Sequence, residues 1–256
     1  MSDGEPAYLV PAVDKALRIL ELLSVDGREM GIVEIATATG WHKSTVQKLL
    51  VTLNHHGVVE RDERTKRYSL GLALAELGRA ALNKFDIRRT AKPVLQALVD
   101  LGGETATLAV LQGNRVVMID KREPLIQIRV SPFIGTRYPA TETSLGKALL
   151  AWLPEQQREA LCRSAGLAAR TPKSITDPAL FREDLAATRE RGYAEDIEEF
   201  QEGVSGVAAP IFSPSGQVVA SLSVVGPTFR MSKSRMKKLG KLCQEQASEL
   251  AGRLVP

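Results

Sequence analysis

The stretch GWHKSTVQKLLVTLNHHG, residues 40–57, decides how the first third of the chain folds. Val46, Leu49, Leu50 and Leu53 recur at helical spacing, so one side of a helix over residues 43–55 is expected to be buried. The opposite side begins with short hydroxyls, an amide and cations, namely Lys43, Ser44, Thr45, Gln47 and Lys48. Gly40 and Gly57 punctuate the two ends. All three histidines of the chain, His42, His55 and His56, lie here, but they lack zinc-site spacing and no cysteine is near.

Working outward, VPAVDKALRILELLS predicts a helix from Pro11, with Val13, Ala16, Leu17, Leu20 and Leu23 on its inner face. GIVEIATATG predicts a short helix that turns Ile32, Ile35 and Ala36 inward and stops at Gly40. After the third helix, GVVER and RYSLG alternate as two short strands around the charged tip DERTK. Three helices followed by a charged hairpin is the order of a winged helix-turn-helix, in which the N-terminal residues of the third helix face base edges and phosphates. Gln, Ser, Thr and Lys all have hydrogen-bonding partners on bases or backbone. Arg61, Arg64, Lys66 and Arg67 on the hairpin are expected to straddle the phosphates. The alternative is a winged helix that contacts another protein or serves as a sensor, without specific DNA binding.

Composition does not decide between these readings. The 256-residue chain is 44% hydrophobic with a net charge of +4, which fits a soluble chain with a sizeable core. Residues 1–85 carry eleven Lys/Arg and eleven Asp/Glu, so any basic footprint has to be local; residues 42–67 hold six cations against three anions. Cys162 and Cys243 match no disulfide or CxxC pattern, the N-terminus lacks a signal-peptide pattern, and no run reaches the ~20 apolar residues of a membrane helix. The expected location is the cytoplasm, with no membrane contact and no cofactor.

The winged-helix module is expected over residues 8–71, a helical linker over 72–87, and a second domain over 88–256. In that domain, residues 105–122 read as two strands around Gln112, Gly113 and Asn114, and IQIRV, residues 126–130, reads as a third. TSLGKALLAWLP and ALFREDLAATRERG read as helices, residues 203–227 as a hairpin over SPSG, and the last helix as residues 233–254. Helices with hairpin-connected strands imply an α+β domain with a mainly antiparallel sheet. The domain has no histidine, which rules out a Ser-His-Asp or Cys-His relay there, and Cys162 has no base partner in its helical context. Binding is the better expectation than catalysis. Thr141, Thr143 and Ser144 stand at a helix start, either as an ordinary cap or as a place for a carboxylate. Ile128, Val130 and Tyr138 offer an apolar wall.

EIATATGWHKSTVQKLLVTLNHHGVVERDERTKRYSLGLALAELG resembles the DNA-binding domain of the IclR family of bacterial transcriptional regulators. YPATETSLGKALLA and RGYAEDIEEFQEGVSGVAAPIFSPSGQVVASLSVVGP resemble the signature stretches of that family's effector-binding domain. The likeness runs over nearly the whole chain from about Val10. It implies a GAF-like effector domain, palindromic double-stranded operator DNA, a small organic acid as ligand, and a dimer that often pairs into a tetramer. The family's effector-contacting positions fall on Tyr138, Leu145, Asp196, Gly206, Ser223 and Val225, with Ser221 counted on the same strand. Gly206 stands where many members have Cys, and Val225 where a serine is usual. Both departures remove a polar group and suggest a roomier pocket for an aromatic or bulky acid. Asp196 adds a carboxylate that would suit a hydroxylated ligand. Whether the chain represses or activates is not legible in its residues.

Overall fold

The computed structural model describes residues 9–25, 28–82 and 86–254, and the chain divides into two compact units between residues 84 and 85. Positions 8 and 83–85, at the edges of the expected module and linker, lie outside the described residues.

The first unit runs α1 (Pro11–Ser24), α2 (Ile32–Thr39), α3 (Lys43–His55), β1 (Val59–Arg61), β2 (Tyr68–Leu70) and α4 (Ala73–Leu82). Pro11 opens α1, where its missing N–H costs nothing. At the start of α2 the Glu34 carboxylate accepts the Gly31 N–H at 2.6 Å, and Gly40 closes it in the left-handed conformation, φ 72°. Ile19, Leu23, Ile35, Ala36, Val46, Leu50, Val59 and Tyr68 form the core, with Leu49 and Leu53 partly buried against it. The face expected for α1 needs correction. Ile19 and Leu23 are buried, whereas Val13 and Leu17 are more than half exposed. At about 100° per residue, Val13 and Leu17 lie roughly 80° and 120° round the helix from Leu23, outside the buried stripe. The hairpin β1/β2 is antiparallel, and Met30 joins it by exchanging N–H···O bonds of 2.9 Å with Tyr68.

The second unit contains α5 (Asp86–Gly102), β3 (Thr105–Gln112), β4 (Arg115–Arg122), β5 (Arg137–Pro139), α6 (Ser144–Leu150), α7 (Glu155–Ala165), α8 (Pro178–Arg191), β6 (Ala194–Ile197), β7 (Val204–Phe212), β8 (Val218–Pro227) and α9 (Lys233–Gly252). Its six strands form one antiparallel sheet in the order β5-β4-β3-β8-β7-β6. Helices α5 and α9 pack on each other and on the sheet, while α6 packs with α8 and the inner strands. The side chains that bury α6 and α8, among them Leu145, Leu149, Phe181 and Leu185, share a core with Ala109, Met118 and Ala208 of the sheet.

The expected strand over residues 126–130 does not form; the edge strand is β5 instead, paired with Arg115–Val117 of β4. The carbonyls a ladder would use are taken by side chains. Thr105 donates its hydroxyl to Val130 O at 2.6 Å, Arg230 donates to Ile128 O at 2.8 Å, and Arg129 donates to Ile126 O at 2.9 Å.

Candidate functional site

The first site is built on α3. Lys43, Ser44, Gln47 and Lys48 are exposed and Thr45 is half-buried: Ser44 and Lys48 lie opposite Val46 and Leu50, Gln47 beside them, and Lys43 stands free at the first turn. Among the described residues, the side chains of Lys43, Ser44, Gln47 and Lys48 make no hydrogen bond or ion pair. His42 is the N-cap but its side chain accepts no N–H of the first turn, so the helix start keeps its polarity for an outside partner.

The wing differs from the open cationic cluster expected of it. Asp62 Oδ1 accepts the N–H groups of Arg64 and Thr65 at 2.8 and 2.7 Å, which folds the tip, and Lys66 adopts the left-handed conformation, φ 57°. The Thr65 N–H is the main reason the Asp62 carboxyl lies below its ordinary range. Lys66 Nζ sits 2.8 Å from Glu63 Oε2, and Arg61 lies over the Tyr68 ring at 5.8 Å. Arg67 reaches across to the start of α2: its guanidinium donates to Glu29 O at 2.8 and 3.0 Å and pairs with the exposed Glu34 at 2.8 Å. Arg67 therefore fastens the wing to the start of α2. Arg64 is the wing cation whose side chain has no partner among the described residues.

The second site is a cavity of about 100 Å³ between the sheet and α6. Nine of the twelve residues expected to bind an effector line it. Thr143, Ser144 and Leu145 come from the start of α6; Gly206, Ser223 and Val225 from β7 and β8; Val130 from the β4–β5 connection; Tyr138 from β5; Asp196 from β6. Three do not. Ile128 is 65% exposed, held outward with its carbonyl on Arg230. The Thr141 hydroxyl donates to Gly166 O at 2.8 Å. Ser221 is buried further along β8, opposite Ala109 and Pro210. The helix start serves largely as a cap, because Thr143 Oγ1 accepts the Gly146 N–H at 3.2 Å.

The cavity also draws on residues that the motifs did not single out: Thr107, Met118, Pro132, Phe200, Gln201 and Val204. Thr107 is the cross-strand partner of Ser223, and their hydroxyls lie 2.7 Å apart. Phe200 stands edge-on to Tyr138 with ring centres 5.2 Å apart, closing one side. Strand alternation shows which residues share a face, but only the register brings Thr107 opposite Ser223. Gly206 does not open the extra room expected of it. A Cβ there would lie 3.3 Å from Ser144 Oγ and from Val224 O, so these atoms already border the space beside Gly206.

Charge is concentrated behind the cavity. Lys147 of α6 is fully buried, with Nζ 2.8 and 2.9 Å from the Glu199 oxygens and 2.9 Å from Asp184 Oδ2. Burial acts to lower its pKa, but the Glu199 and Asp184 charges outweigh burial and the net direction is up, so Lys147 remains charged. Asp196 is 8% exposed, and its Oδ1 accepts the Glu199 N–H at 2.9 Å. Burial, then the Glu199 charge, push the Asp196 carboxyl up to about 7. Cys162 is half-buried on α7, and burial raises its thiol away from the activated range. Among the described residues no helix is long and apolar enough to cross a membrane.

The family profile for the IclR helix-turn-helix domain matches residues 12–63, and that for the bacterial transcriptional regulator IclR C-terminal domain matches residues 79–251. The HTH-type transcriptional regulator BhcR of Paracoccus denitrificans is 36% identical over 96% of this chain and 88% of its own length. The crystal structure of an IclR transcriptional regulator from Alicyclobacillus acidocaldarius superposes with a TM-score of 0.81 at 32% identity, covering 96% of this chain and 99% of the other. An IclR homologue from Microbacterium hydrocarbonoxydans, solved in complex with 4-hydroxybenzoate, superposes with a TM-score of 0.80 at 26% identity, covering 95% and 98%. With an unengaged polar face on its third helix, a sheet-and-helix cavity in its second unit, and both family domains matched in order, the chain belongs to the IclR family of bacterial transcriptional regulators, whose helix-turn-helix domain binds DNA.

Proposed function

We propose that this regulator reads a palindromic operator with Lys43, Ser44, Thr45, Gln47 and Lys48, and that a small organic acid in the second unit's cavity modulates that binding. Residues 8–71 serve as the DNA-binding module, 72–87 as the linker and 88–256 as the effector and self-association domain. The observation that carries the DNA reading is the polar side of α3: it is exposed, and Lys43, Ser44, Gln47 and Lys48 are committed to no partner among the described residues. Arg64 adds a phosphate contact, with Arg61 and Lys66 able to exchange exposed acidic partners for phosphate. Leu9, Val10, Val13 and Leu17, exposed around α1, support self-association as a dimer.

The ligand is narrower than a bulky acid. A cavity of about 100 Å³ is below the ~300–1,000 Å³ of ordinary ligand pockets and below the ~150 Å³ that accepts benzene. It suits a short oxo or hydroxy acid as it stands, and a single-ring acid after a modest outward shift of the Val130–Pro132 wall. The 4-hydroxybenzoate bound to the Microbacterium homologue supports a hydroxylated acid of that size. The test is anisotropy on full-length protein with the DNA upstream of its own operon and with random DNA, across 50–200 mM salt, with and without pyruvate and 4-hydroxybenzoate. Tighter binding to the upstream DNA and a shift on adding an acid are expected. Equal affinity for both DNAs would favour a winged helix that binds protein, and the absence of any acid effect would remove the effector reading.

A further inference from the structure

The effector cavity contains no side chain with a fixed positive charge. Its lining is hydroxyl, apolar and amide, and its ionisable members are Asp196 and Tyr138. The nearest buried cation, Lys147, is saturated by Glu199 and Asp184. The other cations around this corner are engaged too. Arg191 of α8 reaches Asp184 at 3.4 Å and Glu195 at 3.6 Å, Arg170 pairs with Glu142 and lies over Phe200, and Lys173 pairs with Glu198. From β3, β7 and β8 the cavity receives hydroxyl, glycine and valine positions only, with Met118 from β4 and Tyr138 from β5. Behind the wall, Asp184 and Glu199 hold the single buried lysine, and the Glu199 N–H binds the lining residue Asp196. An anion entering beside an ionised Asp196 would meet a like charge in a buried setting, with no cation free to offset it.

We propose that an organic anion enters this cavity together with one proton, carried by Asp196, and that Asp196 thereby sets which acids bind. The inference rests on the reading of the cavity as an organic-acid site. The balance is simple: the proton comes from solvent, it resides on Asp196, and no covalent bond to the ligand forms. Oδ1 accepts the Glu199 N–H, so we place the added proton on Oδ2. A carboxylic O–H facing a carboxylate or phenolate oxygen is a short, charge-assisted hydrogen bond. Glu199 thus does two things: its side chain is held by Lys147 while its N–H binds Asp196, and, after burial itself, its charge keeps the Asp196 proton affinity high.

Calorimetry on the full-length protein tests this, with benzoate, 4-hydroxybenzoate and pyruvate at pH 6 and pH 8, each in phosphate and in Tris. With the Asp196 midpoint at about 7, affinity should be about tenfold weaker at pH 8 than at pH 6. Close to one proton should be taken up per acid bound at pH 8, read from the difference between buffers. The Asp196→Asn variant should bind equally at both pH values. Carbon-detected NMR of the Asp196 carboxyl in the ligand-free protein provides a readout independent of ligand and variant, with a midpoint near neutrality expected. A midpoint in the ordinary carboxylate range, or acid binding with no proton uptake and no pH dependence, overturns the proposal. Failure of all three acids to bind at either pH overturns the effector reading, while the carboxyl titration still decides the protonation of Asp196.

Discussion

The wing and the wall behind the second unit's cavity handle charge in opposite ways. On the wing, Lys66 and Glu63 are paired with side chains 58% and 75% exposed, and Arg61 and Glu63 lie 3.8 Å apart in the same solvent. Such pairs contribute little and are screened by salt, so each cation can leave its partner for a phosphate at small cost. Behind the cavity, Lys147 has no exposure at all, and its ion pairs cannot be exchanged for water. A buried pair contributes modestly to stability while complete, yet is costly to break, because the partner left behind stays desolvated. Exposed charge is therefore available for recognition, whereas buried charge holds geometry and sets protonation. Arg67 falls between the two: it sits on the wing, but it is committed to Glu29 and Glu34.

The largest test of this contrast is Lys147→Met. It leaves Asp184 and Glu199 without their cation and should destabilise the second unit by roughly 3–5 kcal/mol, read by urea denaturation. Adding Asp184→Asn and Glu199→Gln to the same variant should recover much of that loss. A single-variant effect as small as that of an exposed pair would break the comparison.

Asp196→Asn comes next, and its sign follows from linkage. The folded Asp196 has its pKa raised to about 7, so the stability of its protonated form is full below the unfolded value near 3.8 and is lost as pH rises through about 7. An asparagine never ionises. The variant should therefore gain roughly 2–3 kcal/mol relative to the parent between pH 5 and pH 8. Denaturation curves at the two pH values measure it, and a pH-independent difference would argue that Asp196 titrates normally.

On the DNA side, Gln47→Ala should lose roughly 1–3 kcal/mol on the specific operator and relax preference at one position. Equal loss on random DNA would assign Gln47 to the backbone rather than to a base. The smallest effects belong to the wing. Arg64→Ala should lower the slope of log affinity against log salt by about one unit on every sequence. Arg67→Ala should leave that slope nearly unchanged and instead loosen the hairpin, read by hydrogen exchange at Met30 and Tyr68. If the two arginines shift the slope equally, the pairing of Arg67 with Glu34 does not survive on DNA.

Much of this molecule is legible in its residues because the relevant terms are local. The spacing of Val46, Leu49, Leu50 and Leu53 places Gln47 and Lys48 on the outside of α3 whatever else the chain does, since a helix face is set within two turns. Pro11 and Gly40 mark helix ends for reasons of backbone geometry alone. The same reasoning fails at Ile126, Ile128 and Val130. Their alternation fits a strand, but Arg230 and Thr105, distant in sequence, take the carbonyls first. It also fails to separate Ile19 from Leu17, because apolar residues on α1 outnumber the width of the stripe that α3 and β2 cover.

By itself, then, the sequence determined the helix-turn-helix and its outward residues and the antiparallel hairpins, which follow from short-range periodicity, while the positions that line the cavity came from the family resemblance. Tertiary structure alone decided that Arg67 reaches across to Glu34, that Ser144 borders the space beside Gly206, and that Lys147 meets Asp184 and Glu199 behind Asp196. The physical reason is that a side chain's partner and its proton affinity depend on groups dozens of residues away, which meet only when the sheet and helices close around them.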